Sequence, residues 1–253
     1  MGLVGLFFAG LVAGAINSVA GGGTLISFPS LVAFGEPEII SNATNTAALW
    51  PRSLSSALGY RKDTSIDRGL LMTLTIPSLI GGLLGAMILV VTPAETFKLL
   101  VPFLVLFATL VFALREIFLG KLEDVHPREE HVTIVGRVSG FLFQLFIATY
   151  WGYFGAGIGI LMLGSLSLMG LRDIHRINAI KTPLAAIINL AAFAFFALEG
   201  FVVWPLMILM TSGSVIGGYG GARLAKRANP RFLSLFVVIV GLMVSGWFFI
   251  RSF

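Results

Sequence analysis

The chain has 253 residues, 57% of them hydrophobic and 11% charged, with a mean hydropathy of +0.96; a soluble domain carries about 25% charged residues, so the composition excludes one and requires a lipid solvent. There is no cysteine, which removes disulfides, thiolate nucleophiles and thiolate metal sites. The formal net charge of +5 does not point to nucleic acid, because the cations fall in short loops between apolar runs and therefore report orientation in a membrane.

The first apolar run, Leu3–Ala20, lacks the Lys and Arg of a signal-peptide n-region and is expected to belong to the mature fold. Further runs occupy Leu70–Val91, Phe97–Leu114, Phe141–Met169, Pro183–Leu198, Phe201–Arg223 and Phe232–Ile250. Several approach the ~20 residues with which a helix crosses a ~30 Å hydrocarbon core. Alternating ten-residue segments are absent, which excludes a barrel.

The order of short words along the chain reveals a duplication. Asn42-Ala43-Thr44-Asn45-Thr46 returns as Asn178-Ala179-Ile180-Lys181-Thr182, and Ile80-Gly81-Gly82-Leu83-Leu84-Gly85-Ala86 returns as Ile216-Gly217-Gly218-Tyr219-Gly220-Gly221-Ala222, each 136 residues later. Gly21 and Gly23 are echoed by Gly155 and Gly157 at a spacing of 134. An internal duplication in a hydrophobic chain, conserving small and polar residues, is the layout of a secondary transporter. The expected units are a first transmembrane repeat over 1–118, a linker over 119–133 and a second repeat over 134–253.

Loop charges decide how each half is folded. If Ile134–Gly170 crossed once, the Lys and Arg of the loops would divide almost evenly between the two sides. If it enters and returns, bent at Gly155-Ala156-Gly157, thirteen fall on one side and two on the other. The positive-inside rule selects the fold-back, and a single helix over that stretch would measure about 55 Å, far beyond the core. With Leu3–Phe34 folded the same way at Gly21-Gly22-Gly23, each half makes an odd number of crossings. The expected fold is therefore an all-α integral membrane protein of two inverted-topology repeats, each a fold-back helical hairpin plus three transmembrane helices, with linker 119–133 cytoplasmic.

Inverted repeats bring their fold-backs together near the bilayer midplane, where broken helices present N–H groups and positive dipole ends to an anion. The expected substrate-binding residues are Gly21, Gly22, Gly23 and Thr24 at the first bend, Gly155 and Gly157 at the second, and Asn45, Thr46, Arg52, Lys181 and Thr182 beside them. Each has a plainer reading. The bend glycines also suit close helix packing, as do Gly81, Gly82, Gly85, Gly217, Gly218 and Gly221; Asn42 and Asn178 suit helix caps. Lys181 either snorkels toward Arg172 and Arg176 or supplies the site's one fixed charge, its repeat counterpart being the neutral Asn45. Arg52 and Trp50 fit an interfacial anchor as well as a lid.

The Gly-Gly-Gly-Thr-Leu-Ile-Ser-Phe-Pro-Ser-Leu fold-back at Gly21–Leu31, the Ala-Thr-Asn-Thr word at Ala43–Thr46, Ile-Gly-Gly-x-x-Gly-Ala at Ile80–Ala86 and their echoes resemble the sulfite exporter TauE/SafE (TSUP) family of membrane permeases over essentially the whole chain. The resemblance implies a prokaryotic plasma-membrane protein that passes sulfite, sulfoacetate or other organosulfonates. Ala179-Ile180-Lys181-Thr182-Pro183 departs from the family's more usual Gly-Thr-type word, which leaves the substrate open. The expected function is a secondary transporter, an exporter of small sulfur-containing anions, working by alternating access; an anion channel, or a carrier of another small solute or a cation, is the alternative. Its partners would be a small anion and the lipid bilayer, with no nucleic acid, cofactor or metal. Enzymatic work is not expected, since His126, His131 and His175 are predicted to fall in cytoplasmic loops.

Overall fold

The computed structural model describes residues 2–19, 22–60, 68–114, 134–169, 171, 174–225 and 230–252. Linker 119–133, expected to be cytoplasmic, lies outside the described residues. Among those described are ten helices and no strand: α1 (Leu3–Val19), α2 (Thr24–Phe34), α3 (Glu38–Tyr60), α4 (Arg68–Val91), α5 (Ala94–Ala113), α6 (Ile134–Tyr153), α7 (Ile158–Leu168), α8 (Ile174–Leu198), α9 (Trp204–Ala225) and α10 (Pro230–Ser252). Four of these helices, α4, α5, α8 and α10, contain stretches long and apolar enough to cross a membrane.

Local chemistry sets the boundaries. Pro37 and Pro93 immediately precede α3 and α5, and Pro205 and Pro230 lie in the first turns of α9 and α10, where a missing N–H leaves no helical bond unmade. Glu38 and Glu95 occupy first turns, favourable to the helix dipole. α8 closes on Gly200, at φ +77°, with the Phe201 N–H donating to the Phe196 carbonyl at 2.9 Å. The early starts of α3 and α8 correct the capping reading of Asn42 and Asn178. Both lie in the second turn of a helix already under way, where the backbone N–H is bonded within the helix and no cap is needed.

Both expected breaks are present. α1 ends before the first glycine cluster and α6 before the second. α2 and α7, with 11 residues each, measure roughly 16 Å and cannot span the core alone.

The expected duplication would make each of the first five helices the counterpart of the one five places later. α1 packs on α9 and α6 on α4; α3 packs on α8 and α5 on α10. Counterparts that touch run antiparallel. In the α3–α8 pair, Trp50 stacks on Phe193 at 5.4 Å while Ser53 meets Asn189 at 3.0 Å, so one number rises as the other falls. In α5–α10, the Ser252 hydroxyl donates to the Lys98 carbonyl at 3.2 Å, Phe103 meets Phe249 at 5.0 Å, and Gly241 lies against Thr109.

The α1–α9 and α4–α6 seams run parallel and are built on small residues. A Cβ on Gly10 would lie 2.7 Å from the Met210 carbonyl oxygen, and one on Gly14 would collide with that of Ser214. Gly81 faces the Leu145 carbonyl and Gly85 that of Thr149; in the other half Gly217 faces the Leu11 carbonyl. In lipid, where apolar surface gains little by leaving one apolar medium for another, such backbone approach is what holds helices together. The packing reading of Gly81, Gly85 and Gly217 therefore has a direct physical basis. Ser78, on the same seam, accepts from the Gln144 amide at 2.8 Å.

Gly85→Val and Gly217→Val should each lower the melting temperature of the detergent-purified protein by an amount equivalent to about 1–3 kcal/mol. Gly246→Ala, at an exposed helical position with nothing within 4 Å of the added carbon, is the control and should leave it unchanged or raise it.

Candidate substrate-binding site

The second bend follows directly from its sequence. α6 runs out at Tyr153, the Phe154 N–H donates to the Tyr150 carbonyl at 2.9 Å, and the chain then turns through Gly155 and Gly157 at φ +78° and +77°. That left-handed region strains any residue with a Cβ, which is why two glycines are needed here. Phe154 is buried and meets Phe28 edge to face at 5.4 Å, and Phe28 stacks on Phe248 at 5.7 Å. This triad fixes the bend against α2 and α10, each such pair contributing about 0.5–1.5 kcal/mol. Gly157 rests on Ala108 of α5, 3.1 Å from its Cα measured at the position a Cβ would take.

From Gly157 the chain enters α7, whose first N–H groups have no acceptor within the helix. Lys181 reaches toward this first turn. Its Nζ lies 4.0 Å from the position a Cβ on Gly159 would occupy. The ammonium therefore lies beside the first turn of α7. A helix N-terminus carries about half a positive charge, and an ammonium beside it repels it. An anion between the two would be attracted by both.

The first bend repeats the plan with different chemistry. Gly22 has φ +83°, Gly23 precedes α2, and Asn45, the counterpart of Lys181, again reaches the first turn of the short helix. Here the Ser27 hydroxyl lies within bonding distance of both the Asn45 Oδ1, at 2.5 Å, and the Gly23 carbonyl, at 3.1 Å. Ser27, Asn45 and Thr24 are all buried. This half-site is neutral and engaged with its own side chains.

Asn42, three residues before Asn45 on α3, ties that helix to the second bend. It is wholly buried on α3, and its amide Nδ2 donates to the Tyr153 carbonyl at 2.8 Å. That carbonyl belongs to the last turn of α6, where no intrahelical donor follows. One turn on, the Thr46 hydroxyl donates to the Asn42 carbonyl at 3.0 Å and so is occupied within its own helix. Thr182, next to Lys181, is partly buried. Gly21 and the side chain of Arg52 lie outside the described residues.

A polar chain absent from the sequence reading crosses the same region. The Trp151 indole N–H donates to Asn189 Oδ1 at 2.9 Å, and the Asn189 amide donates to the Ser53 hydroxyl at 3.0 Å. Ser53 and Asn189 are 136 residues apart, so two counterpart positions bond to one another. The signal in the sequence was a lone asparagine inside the apolar run Pro183–Leu198. The described carboxylates, Glu36, Glu38, Glu95 and Glu199, all lie at helix ends, away from this cluster.

Comparison with known proteins gives one consistent result. The family model described as "Sulfite exporter TauE/SafE" matches residues 6–248. The chain is similar to the "Probable membrane transporter protein" of Haemophilus influenzae, 30% identical over 251 residues that cover 96% of this chain and 95% of the relative. It is also similar to the "Probable membrane transporter protein ORF9" of a Sinorhizobium species, 30% identical with 95% and 89% covered. With the "Probable membrane transporter protein YfcA" of Escherichia coli it shares 28% identity, with 95% and 87% covered. No solved structure gives a significant match.

Asn189→Leu should destabilise the purified protein by about 1–2 kcal/mol, since it leaves the Trp151 N–H without its acceptor, while the Ser53 hydroxyl keeps the Leu49 carbonyl. In a double-mutant cycle with Ser53→Ala, the coupling should be about 0.6 kcal/mol, the usual size for an interhelical hydrogen bond in lipid. Strict additivity of the two thermal shifts would mean that the bond contributes nothing.

Proposed function

The chain belongs to the sulfite exporter TauE/SafE family, and from that premise we propose that it is a secondary transporter that exports small sulfur-containing anions, such as sulfite or organosulfonates, by alternating access. The observation that carries this reading is the Lys181 ammonium beside the first turn of α7, just past a bend that only glycine adopts without strain. A sulfite or sulfonate head offers three oxygens. One ammonium and the N–H groups of a helix start serve them without a cluster of arginines. A single charge also keeps the affinity low enough for release.

The same reading takes the two halves as inverted repeats. It is supported by counterpart helices that pack antiparallel, α3 on α8 and α5 on α10, since an operation mapping a helix onto an antiparallel neighbour reverses direction. It is also supported by the loop charges. Lys98 and Arg251, which the charge count assigns to the sparsely charged side, belong to segments joined by the Ser252–Lys98 bond. The heavily charged loops, linker 119–133 included, then face the cytoplasm of a prokaryotic cell, and the substrate passes between the bends as one half rocks against the other.

Ligand-induced thermal stabilisation by sulfite, sulfoacetate, taurine, thiosulfate, sulfate and acetate tests the reading. Selective stabilisation by a sulfur oxyanion is expected, with Lys181→Gln weakening the apparent affinity at least tenfold, equivalent to about 1.4 kcal/mol. Equal affinity in Lys181→Gln, or a response confined to cations, would remove the anion site.

A further inference from the structure

We propose that the bond from the Asn42 amide to the Tyr153 carbonyl is one of two alternating latches. It seals the site at the Asn45 end while the Lys181 end stands open; in the opposite state Asn178 takes the Val19 carbonyl and Asn42 lets go. This rests on the inverted repeats proposed above and is independent of the cargo.

The equivalence is positional. Asn42 and Asn178 are each the fifth residue of their helices, α3 and α8, and lie 136 residues apart. Tyr153 and Val19 are each the last residue of theirs, α6 and α1, and lie 134 apart. A carbonyl at that position has no donor within its helix and needs one from outside. One of the two pairs is joined here, the Asn42 Nδ2 donating to the Tyr153 carbonyl at 2.8 Å. The other is not, and no side-chain hydrogen bond of Asn178 is present among the described residues.

Burial follows the latch. From Ser41 to Ala48 every residue of α3 is buried, whereas over the matching stretch of α8 Asn178, Lys181, Thr182 and Pro183 are only partly buried. Residue type does not explain the contrast. Asparagine is wholly buried at 42 and not at 178, and threonine is 4% exposed at 46 and more exposed at 182. What differs is what covers them.

An inverted repeat supplies the reason. The operation that exchanges the repeats also exchanges the membrane faces, so a contact made in one half alone belongs to a state open to one face, and its counterpart contact belongs to the state open to the other. The Ser53–Asn189 bond maps onto itself and is kept in both states. The Asn42 bond maps onto Asn178 and Val19. Each of these two bonds joins one repeat to the other, so rocking makes one as it breaks the other. The start of α8, beside Arg172 and Arg176, is on the heavily charged side, so the described state is open to the cytoplasm, where an exporter loads.

The chain has no cysteine, so single cysteines report accessibility without background. Thr46→Cys and Thr182→Cys in the full chain are treated with a membrane-impermeant methanethiosulfonate in right-side-out and inside-out vesicles. Thr182→Cys should react from the cytoplasmic face and Thr46→Cys, more slowly, from the outer face. Adding Asn42→Ala should raise the ratio of the Thr46→Cys rate to the Thr182→Cys rate about fivefold, the population shift that follows from one lost hydrogen bond. Adding Asn178→Ala should lower that ratio by a similar factor, and since the Asn178 side chain is unbonded here, this variant tests the latch even if Asn42→Ala does not fold. A ratio unchanged in both variants, or no reaction at Thr46→Cys even with Asn42→Ala, would make Asn42 a structural contact and overturn the latch. Reaction of both cysteines from one face would overturn the inverted repeats and the latch with them. The labelling needs no anion, so failure of the anion site is read separately, from the thermal response of Lys181→Gln.

Discussion

A lipid interior offers no water to a broken helix, so every N–H and C=O released by a bend must be taken up by protein or by cargo. The rest of this structure follows from meeting that requirement twice. At the second bend Asn42 donates to the Tyr153 carbonyl, and at the first the Gly23 carbonyl takes the Ser27 N–H while the Ser27 hydroxyl meets Asn45. Bringing those side chains close requires the surrounding helices to approach the fold-backs at backbone distance. The glycine seams of α1 with α9 and of α4 with α6 permit this, and they lie alongside the two helices that lead into the bends. Bends and seams are two parts of one solution.

The halves share this scaffold and differ where it matters for cargo. At the first bend the neutral Asn45 is engaged by Ser27, so the polar groups there satisfy one another. At the second, Lys181 brings an ammonium to the start of α7, whose own dipole has the same sign. An anion placed between two like-signed groups is attracted by both. In the proposed function, charge on one half alone makes one strong subsite, and the mostly neutral donors around it limit how tightly the anion is held. An intermediate affinity of that kind is compatible with loading on one face of the membrane and release on the other.

Much of this was legible in the sequence, because the strongest signals are global. The 136-residue offset survives wherever small or polar residues are required, and the imbalance of loop charges rejects a single crossing of Ile134–Gly170. The break at 154–157 falls where those signals put it. Local features were less legible. Asn42 reads as a cap because the true start of α3, at Glu38 after Pro37, is four residues upstream in an unremarkable stretch. Asn189 is one polar residue in an apolar run, and its bond to Ser53 emerges only when α3 and α8 cross. Tyr150 looks like any aromatic beside a bend; that its hydroxyl lacks a partner among the described residues is a property of packing and has no pattern along the chain.

The central claim is that one anion at a time is carried between the two bends and held by Lys181. Counterflow of radiolabelled sulfite in proteoliposomes addresses it most directly. Liposomes loaded with unlabelled sulfite should take up the label transiently above equilibrium, saturably, and Lys181→Gln should abolish the overshoot while the protein still reconstitutes and melts as wild type does. Uptake that equilibrates without overshoot and does not saturate, or an overshoot that survives Lys181→Gln intact, would contradict the account.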